Sequence, residues 1–231
     1  MKKKIMLAVN LLVIAAIFVL NYFYQRNGFD FKLKCVCSGA FAVLGLVNLG
    51  YALLTKAKNL RFYTAMALGL VLAMLGDVLI GYDFIVGAGT FALGHIAFIV
   101  AYCFLQRFRP LDAAVSGGLF LCGGAFLLFY PYIVFDEPLY RYVCLAYALI
   151  ISLMLGKAVG NLLRKRSPAT ATVALASGLF FFSDLMLVLD WFVGFWTWTS
   201  EACMGTYYPA LCLLAFSMYL NTVARKELCN E

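Results

Sequence analysis

Eight long runs of apolar residues follow one another along the chain, separated by short connections that carry charged residues, glycine and proline. A helix of about 20 residues crosses the roughly 30 Å hydrocarbon core of a bilayer, and each run is about that long. The runs are continuous in Leu, Ala, Gly and Phe, unlike the alternating strands of an outer-membrane barrel. The pattern predicts membrane-spanning helices at Ile5–Tyr24, Cys35–Leu54, Tyr63–Tyr82, Gly87–Leu105, Ala113–Val134, Tyr140–Gly160, Ala169–Leu189 and Ser200–Thr222.

The composition supports a membrane protein. Of 231 residues, 65% are hydrophobic and 13% are charged, whereas soluble domains have about 45–50% apolar and about 25% charged residues. The first run is too long for the apolar region of a signal peptide, so we expect a retained span. We therefore predict an all-α fold, with residues 1–231 forming one polytopic bundle of eight transmembrane helices. We expect a multi-pass integral membrane protein, which would lie in the cell membrane if the source is bacterial.

The distribution of basic residues predicts the orientation. Only Arg26, Lys32, Lys34 and Arg141 lie at one set of helix ends, and the other fourteen of the eighteen Lys and Arg lie at the opposite set. The positive-inside rule then places both termini in the cytoplasm. The net charge of +7 is therefore expected to meet the lipid bilayer, and we expect no nucleic-acid partner.

Matching residues in the third and seventh runs predict an internal repeat. At an offset of 107 residues, Gly76-Asp77 aligns with Ser183-Asp184, and Asp83 aligns with Asp190. The two runs are four helices apart, so the halves would be parallel four-helix repeats, an arrangement that some transporters use.

Two carboxylates and one imidazole lie inside the predicted spans. All eighteen basic residues are expected at helix ends or in loops, and of the eleven acidic residues only Asp77 and Asp184 lie well inside a span. An ionised group there costs at least about 2.5–3.5 kcal/mol, which favours a functional role. His95, the single histidine, is expected at about the same level as both carboxylates, and all three are candidate catalytic residues.

Further polar residues are expected near the same end of the bundle. Tyr207 and Tyr208 share the level of His95, Asp190 and Glu201 lie at helix ends, and Lys34 lies where an ammonium meets phosphate headgroups; these five are candidate substrate-binding residues. Each also has a structural interpretation, as a helix-bridging hydrogen bond or a snorkelling boundary residue.

No cofactor or metal motif occurs. The eight cysteines show no metal-ligand spacing, and one histidine is too few for a multi-histidine centre. We expect neither a cofactor nor a metal.

Several short motifs together resemble the YhhN-like lysoplasmalogenase family, eight-span proteins that cleave the vinyl-ether bond of lysoplasmalogens. They are Leu33-Lys34, Leu75-Gly76-Asp77-Val78-Leu79, Gly94-His95, Phe182-Ser183-Asp184 and Thr206-Tyr207-Tyr208. Two positions depart from the family pattern, Phe98 where Tyr is frequent and Leu211 where Gln is frequent.

The resemblance implies a metal-independent ether hydrolase with a lysophospholipid substrate. The enol ether would be protonated on carbon, and water would trap the resulting oxocarbenium ion. One of Asp77 and Asp184 would hold the proton while the other stays ionised, as with the two carboxylates of glycosidases. His95 would position water or relay the proton, and Tyr208 would hold the substrate oxygen.

The sequence also fits two other functions. The paired carboxylates and the parallel repeat are typical of a proton- or cation-coupled membrane transporter. The chain could also be a structural or regulatory membrane subunit, in which both Asp residues serve only folding.

Overall fold

The structure is a computed structural model that describes residues 2–194 and 198–227. These residues form eight α-helices and no strands: α1 (Lys2–Arg26), α2 (Phe31–Leu54), α3 (Leu60–Leu79), α4 (Phe84–Leu105), α5 (Pro110–Phe129), α6 (Pro138–Arg164), α7 (Pro168–Phe192) and α8 (Trp198–Glu227). All eight are long and apolar enough to cross a membrane. The predicted eight-span, all-α integral membrane protein is confirmed.

Local sequence signals set the helix ends. Asp30 and Asp83 precede α2 and α4, and each side chain accepts a hydrogen bond from the backbone N–H three residues further on. The prediction that the fifth span reaches Val134 is wrong, because α5 ends at Phe129. Pro131 explains the early end, since the residue before a proline disfavours helical geometry.

The helices pack around one apolar core that takes side chains from all eight. The most intimate pairs are the hairpins α3–α4 and α7–α8, followed by α5–α6 and α2–α3. Under the predicted repeat, the contact of α2 with α8 corresponds to that of α6 with α4, and both are present. The repeat itself stays a prediction.

Two contacts break this correspondence. In the first half, α1 and α3 both pack closely on α8. The predicted counterparts of α1, α3 and α8 are α5, α7 and α4. Within the described residues neither α5 nor α7 has a close backbone contact with α4, and α5 packs closely on α6 alone. The second half of the bundle is therefore more open between α4, α5 and α7.

An even number of spans puts both chain ends on one side, which we call the termini end. At this end a buried ion cluster joins α5 and α6: Lys157 Nζ lies 3.1 Å from Asp112 Oδ2, and both side chains are completely buried. Arg164 also pairs with Asp112, and Asn161 accepts a hydrogen bond from Lys157. The prediction that every basic residue lies at a helix end or in a loop is wrong for Lys157, which lies inside α6 and is stabilised there by these partners.

Candidate active site

The two membrane-embedded carboxylates lie toward the opposite end of the bundle from the termini. Asp77 lies in α3, two residues before that helix ends, and Asp184 lies in α7, eight residues before its end. Their side chains are only 3% and 8% exposed. Burial to this degree is compatible with a carboxyl group only when partners satisfy its oxygens, and the two residues obtain partners of different kinds.

Asp77 is held by a cation and two hydroxyl groups, an arrangement that we call the Asp77 centre. Lys34 Nζ lies 3.2 Å from Asp77 Oδ1, while Ser38 Oγ and Tyr208 OH donate to Oδ2, the latter over 3.3 Å. Lys34 and Ser38 are four residues apart on α2 and so share one helix face. The centre joins α2, α3 and α8 through one ion pair and two hydrogen bonds.

Asp184 is held by a tyrosine and a histidine, an arrangement that we call the Asp184 centre. Tyr147 OH, from α6, donates to Asp184 Oδ2 over 2.7 Å. His95 Nε2, from α4, lies 2.7 Å from the Tyr147 oxygen and 3.3 Å from Asp184 Oδ2. Three helices thus converge on one carboxylate oxygen.

The hydrogen bonds fix the tautomer of His95. The single proton of Tyr147 is directed to Asp184, so the short contact between His95 Nε2 and the Tyr147 oxygen requires a proton on Nε2. His95 Nδ1 is buried without a hydrogen-bond partner in the described part of the chain. Nε2 is therefore the ring nitrogen that faces Tyr147 and Asp184.

Aromatic rings separate the two centres. Tyr207 packs against Phe180 at 5.5 Å and against Phe91 at 6.0 Å between ring centroids, and its hydroxyl donates to a backbone carbonyl of α3. His95 also packs against Phe180, at 4.6 Å between ring centroids. Among the described residues no hydrogen bond or ion pair links Asp77 directly to Asp184, so each carboxylate has its own surroundings.

An apolar cavity opens beside the Asp184 centre, in the gap that α4, α5 and α7 leave. Side chains from α3 to α7 line it, and Asp184 and Tyr147 provide its carboxyl and hydroxyl groups. Asp184 Oδ1 accepts no hydrogen bond from the described residues, whereas Oδ2 has two neighbours. The cavity therefore presents an apolar lining beside a carboxyl group whose Oδ1 has no hydrogen-bond partner among the described residues.

The structure brings some of the sequence-predicted residues together. Lys34 and Tyr208 meet Asp77, and His95 meets Asp184. Asp190 and Glu201 join neither centre through a hydrogen bond or ion pair in the described part of the chain.

Each of those two residues has a different environment. Asp190 accepts hydrogen bonds from Thr199 and Ser200, at the start of α8. Glu201 is solvent-exposed in the first turn of that helix. The two positions that depart from the family pattern, Phe98 and Leu211, are fully buried in the apolar core.

Sequence reasoning missed Ser38 and Tyr147. The position of Ser38, one helical turn after Lys34, was a usable signal. Tyr147 carries no comparable signal, since it is one of fourteen tyrosines and its role arises from packing between α4, α6 and α7.

These features define a class, the eight-span helical membrane proteins with carboxylates inside the bundle. A family model described as the YhhN family matches residues 37–218. The chain therefore belongs to the YhhN family, the family of the lysoplasmalogenases. The matched range includes both carboxylates, His95 and Tyr147, and it begins just after Lys34. No curated protein and no solved structure matches the chain.

Proposed function

We propose that this protein hydrolyses the vinyl-ether bond of alkenyl lysophospholipids, without a metal, to a fatty aldehyde and a glycerophospho-alcohol. The observation that carries the proposal is an apolar cavity that borders the carboxyl group of Asp184. Among the described residues, Oδ1 of this group accepts no hydrogen bond. Membership of the YhhN family supports the same reaction type. The alkenyl chain would occupy the cavity, with its enol ether beside Asp184.

Asp184 is the acid of the first step. Asp184 lines the apolar cavity, and in this proposal its Oδ1 carries the proton at the start of the reaction. The proton on Oδ1 passes to the alkenyl carbon that is β to the ether oxygen. That carbon forms a C–H bond, and the adjacent carbon and the oxygen share the positive charge of an oxocarbenium ion.

The same carboxylate then serves as the base. Water adds to the cationic carbon and gives one proton to Asp184, which restores the acid. The hemiacetal collapses when its hydroxyl proton moves to the glycerol oxygen and the C–O bond breaks, which releases the aldehyde. The proton count closes without a cofactor.

His95 and Tyr147 stabilise the carboxylate between these two steps. Both lie within hydrogen-bonding distance of Asp184 Oδ2, where negative charge appears when the proton leaves. Fixed donors aimed at developing charge are effective in a site that excludes water. They also hold the carboxyl group so that Oδ1 faces the cavity.

Asp77 supplies the second carboxylate. In this proposal Asp77 is ionised beside Lys34, and its negative charge lies on the far side of the Phe91, Phe180 and Tyr207 rings. The charge favours the oxocarbenium ion through the low-dielectric interior. Tyr208 fixes the carboxylate by hydrogen bonding, so here it is a positioning residue.

The test measures aldehyde release from an alkenyl lysophospholipid by the purified protein in detergent. We expect Asp184→Asn to abolish turnover and Asp77→Asn to reduce it. The matched control is Asp83→Asn, an exposed helix cap that asparagine replaces well. Wild-type turnover by a folded Asp184→Asn protein would overturn the proposal. Turnover by the purified wild type would exclude a purely structural subunit.

One observation favours a second candidate, a proton- or cation-coupled transporter. Asp77 and Asp184 are both buried carboxylates, and their helices α3 and α7 belong to the two most intimate helix pairs, α3–α4 and α7–α8. Proton or cation flux in proteoliposomes, without lipid turnover, would support transport.

A further inference from the structure

A second cavity lies at the connection between α5 and α6, at the same end of the bundle as the candidate active site. Two charged residues, Asp136 and Arg141, line it together with apolar side chains. Leu127 lines both this cavity and the apolar cavity beside Asp184. The polar cavity is therefore a direct neighbour of the apolar one.

The helical register of α6 connects Arg141 to the apolar cavity. Cys144 and Ala148, three and seven residues further along, line that cavity, and these spacings place all three residues on one helix face. Arg141 lies six residues before Tyr147, which corresponds to about 9 Å along the helix axis. An extended glycerophosphate covers a similar length from the alkenyl carbon to the phosphorus atom.

The two charges of this cavity are unpaired within the described residues. Neither Arg141 nor Asp136 forms an ion pair or a side-chain hydrogen bond there, and both are exposed. Lys34, at the same end, is occupied by Asp77. Arg141 is thus the basic residue that lines a cavity here with its guanidinium still available for an anion.

We infer that this cavity binds the headgroup of a zwitterionic lysophospholipid, with Arg141 on the phosphate and Asp136 on the ammonium group. The inference rests on the proposed function for the placement of the alkenyl chain. A guanidinium matches two phosphate oxygens at once. The carboxylate of Asp136 provides the complementary charge for a choline or ethanolamine group.

The experiment measures binding, so it does not depend on turnover. The probe is an alkyl lysophosphocholine, which has a saturated ether in place of the vinyl ether and is not cleaved by this chemistry. We expect Arg141→Ala to weaken its binding about tenfold, the scale of one charge-assisted contact at an exposed site. Lys32→Ala is the matched control, because it removes an exposed charge at the same end but away from the cavity.

Two further probes separate the roles of the charges. An alkylglycerol without phosphate should bind wild type and Arg141→Ala equally. Asp136→Asn should weaken binding of alkyl lysophosphocholine several-fold but leave alkyl lysophosphatidate, which has no ammonium group, unchanged. Equal losses for all three lipids would show that the variants only deform the cavity, and would overturn the inference.

Two outcomes distinguish the headgroup site from a site for soluble phosphates and from the proposed hydrolysis. Competition by free glycerophosphate at the concentration at which the lipid binds would identify a site for soluble phosphates, and so would overturn a lipid headgroup site. If the wild type cleaves no alkenyl lipid yet the alkyl probe loses affinity on Arg141→Ala, the proposed hydrolysis fails and the headgroup site stands. If the wild type cleaves the alkenyl lipid but Arg141→Ala does not weaken binding of the alkyl probe, the headgroup site alone is overturned.

Discussion

Asp77 and Asp184 are two aspartates at matching positions, each six residues before an acidic residue near the same end of the bundle, yet they have opposite surroundings. A lysine and two hydroxyl groups hold Asp77. Tyr147 and His95 hold Asp184, which also borders an apolar cavity. The comparison teaches that two buried aspartates in similar sequence settings can have partners of different kinds, an ammonium group and hydroxyl groups in one case and a phenol and an imidazole in the other.

Helix packing produces this difference. Around Asp77, α8 is covered by both α1 and α3. Around Asp184, the corresponding helix α4 has no close backbone contact with α5 or α7 in the described part of the chain. The apolar cavity lies in the space between these helices.

The largest expected effect separates the two carboxylates by activity. Asp184→Asn should lower kcat for an alkenyl lysophospholipid about 10³-fold or more, because it removes both the acid and the base. Asp77→Asn should lower kcat less, because Asp77 acts through its charge at a distance. Aldehyde release under saturating substrate measures both, and equal losses would contradict distinct roles.

The second expected effect is a difference in unfolding free energy between the Asp77→Asn and Asp184→Asn variants. Asp77→Asn leaves the Lys34 ammonium group, 12% exposed, without its anion, and should cost about 3 kcal/mol of unfolding free energy. Asp184→Asn removes only neutral hydrogen bonds and should cost about 1 kcal/mol. Reversible unfolding in mixed detergent measures both.

A double variant provides the control for that ion pair. Lys34→Met combined with Asp77→Asn should recover part of the loss, since no isolated charge remains. If the two losses simply add, the ion pair does not account for the stability of the Asp77 centre.

The third effect concerns the donors to Asp184. Tyr147→Phe removes the hydrogen bond to Oδ2, and should lower kcat about ten- to a hundredfold with little change in KM. Tyr82→Phe, at an exposed tyrosine that lines neither cavity, is the control. A change in KM alone would mean that Tyr147 only shapes the cavity.

The smallest effect tests the cavity itself. Ala148→Phe places a ring in the apolar cavity and should raise KM about tenfold for long alkenyl chains while sparing short ones. Ala146→Phe, which is exposed two residues earlier on α6, should change neither. Equal effects on long and short chains would place the alkenyl chain elsewhere.

Much of the fold followed from the sequence because the membrane restricts the alternatives. A run of about 20 apolar residues must satisfy its backbone within the run, and only a helix does so. The spans were therefore predictable, apart from helix ends such as that of α5, where Pro131 ends the helix early. Lys157 was missed because its partner Asp112 lies 45 residues away in the chain.

The candidate site was predictable in its rarest residues only. Asp77, Asp184 and His95 stood out because a polar group inside a span is costly and few are present. Tyr147 did not, because a tyrosine in a helix is ordinary until a neighbouring helix brings it to a carboxylate.

The residues of the chain alone were enough for the class, the family resemblance and the pair of buried carboxylates, because hydrophobicity and the cost of buried charge act locally. The division of that pair into an ion-paired centre and a cavity-facing centre depended on which helices pack together. Contacts such as Lys34 with Asp77 and Tyr147 with Asp184 join segments about 40 residues apart in the chain, and no local pattern along the chain encodes them.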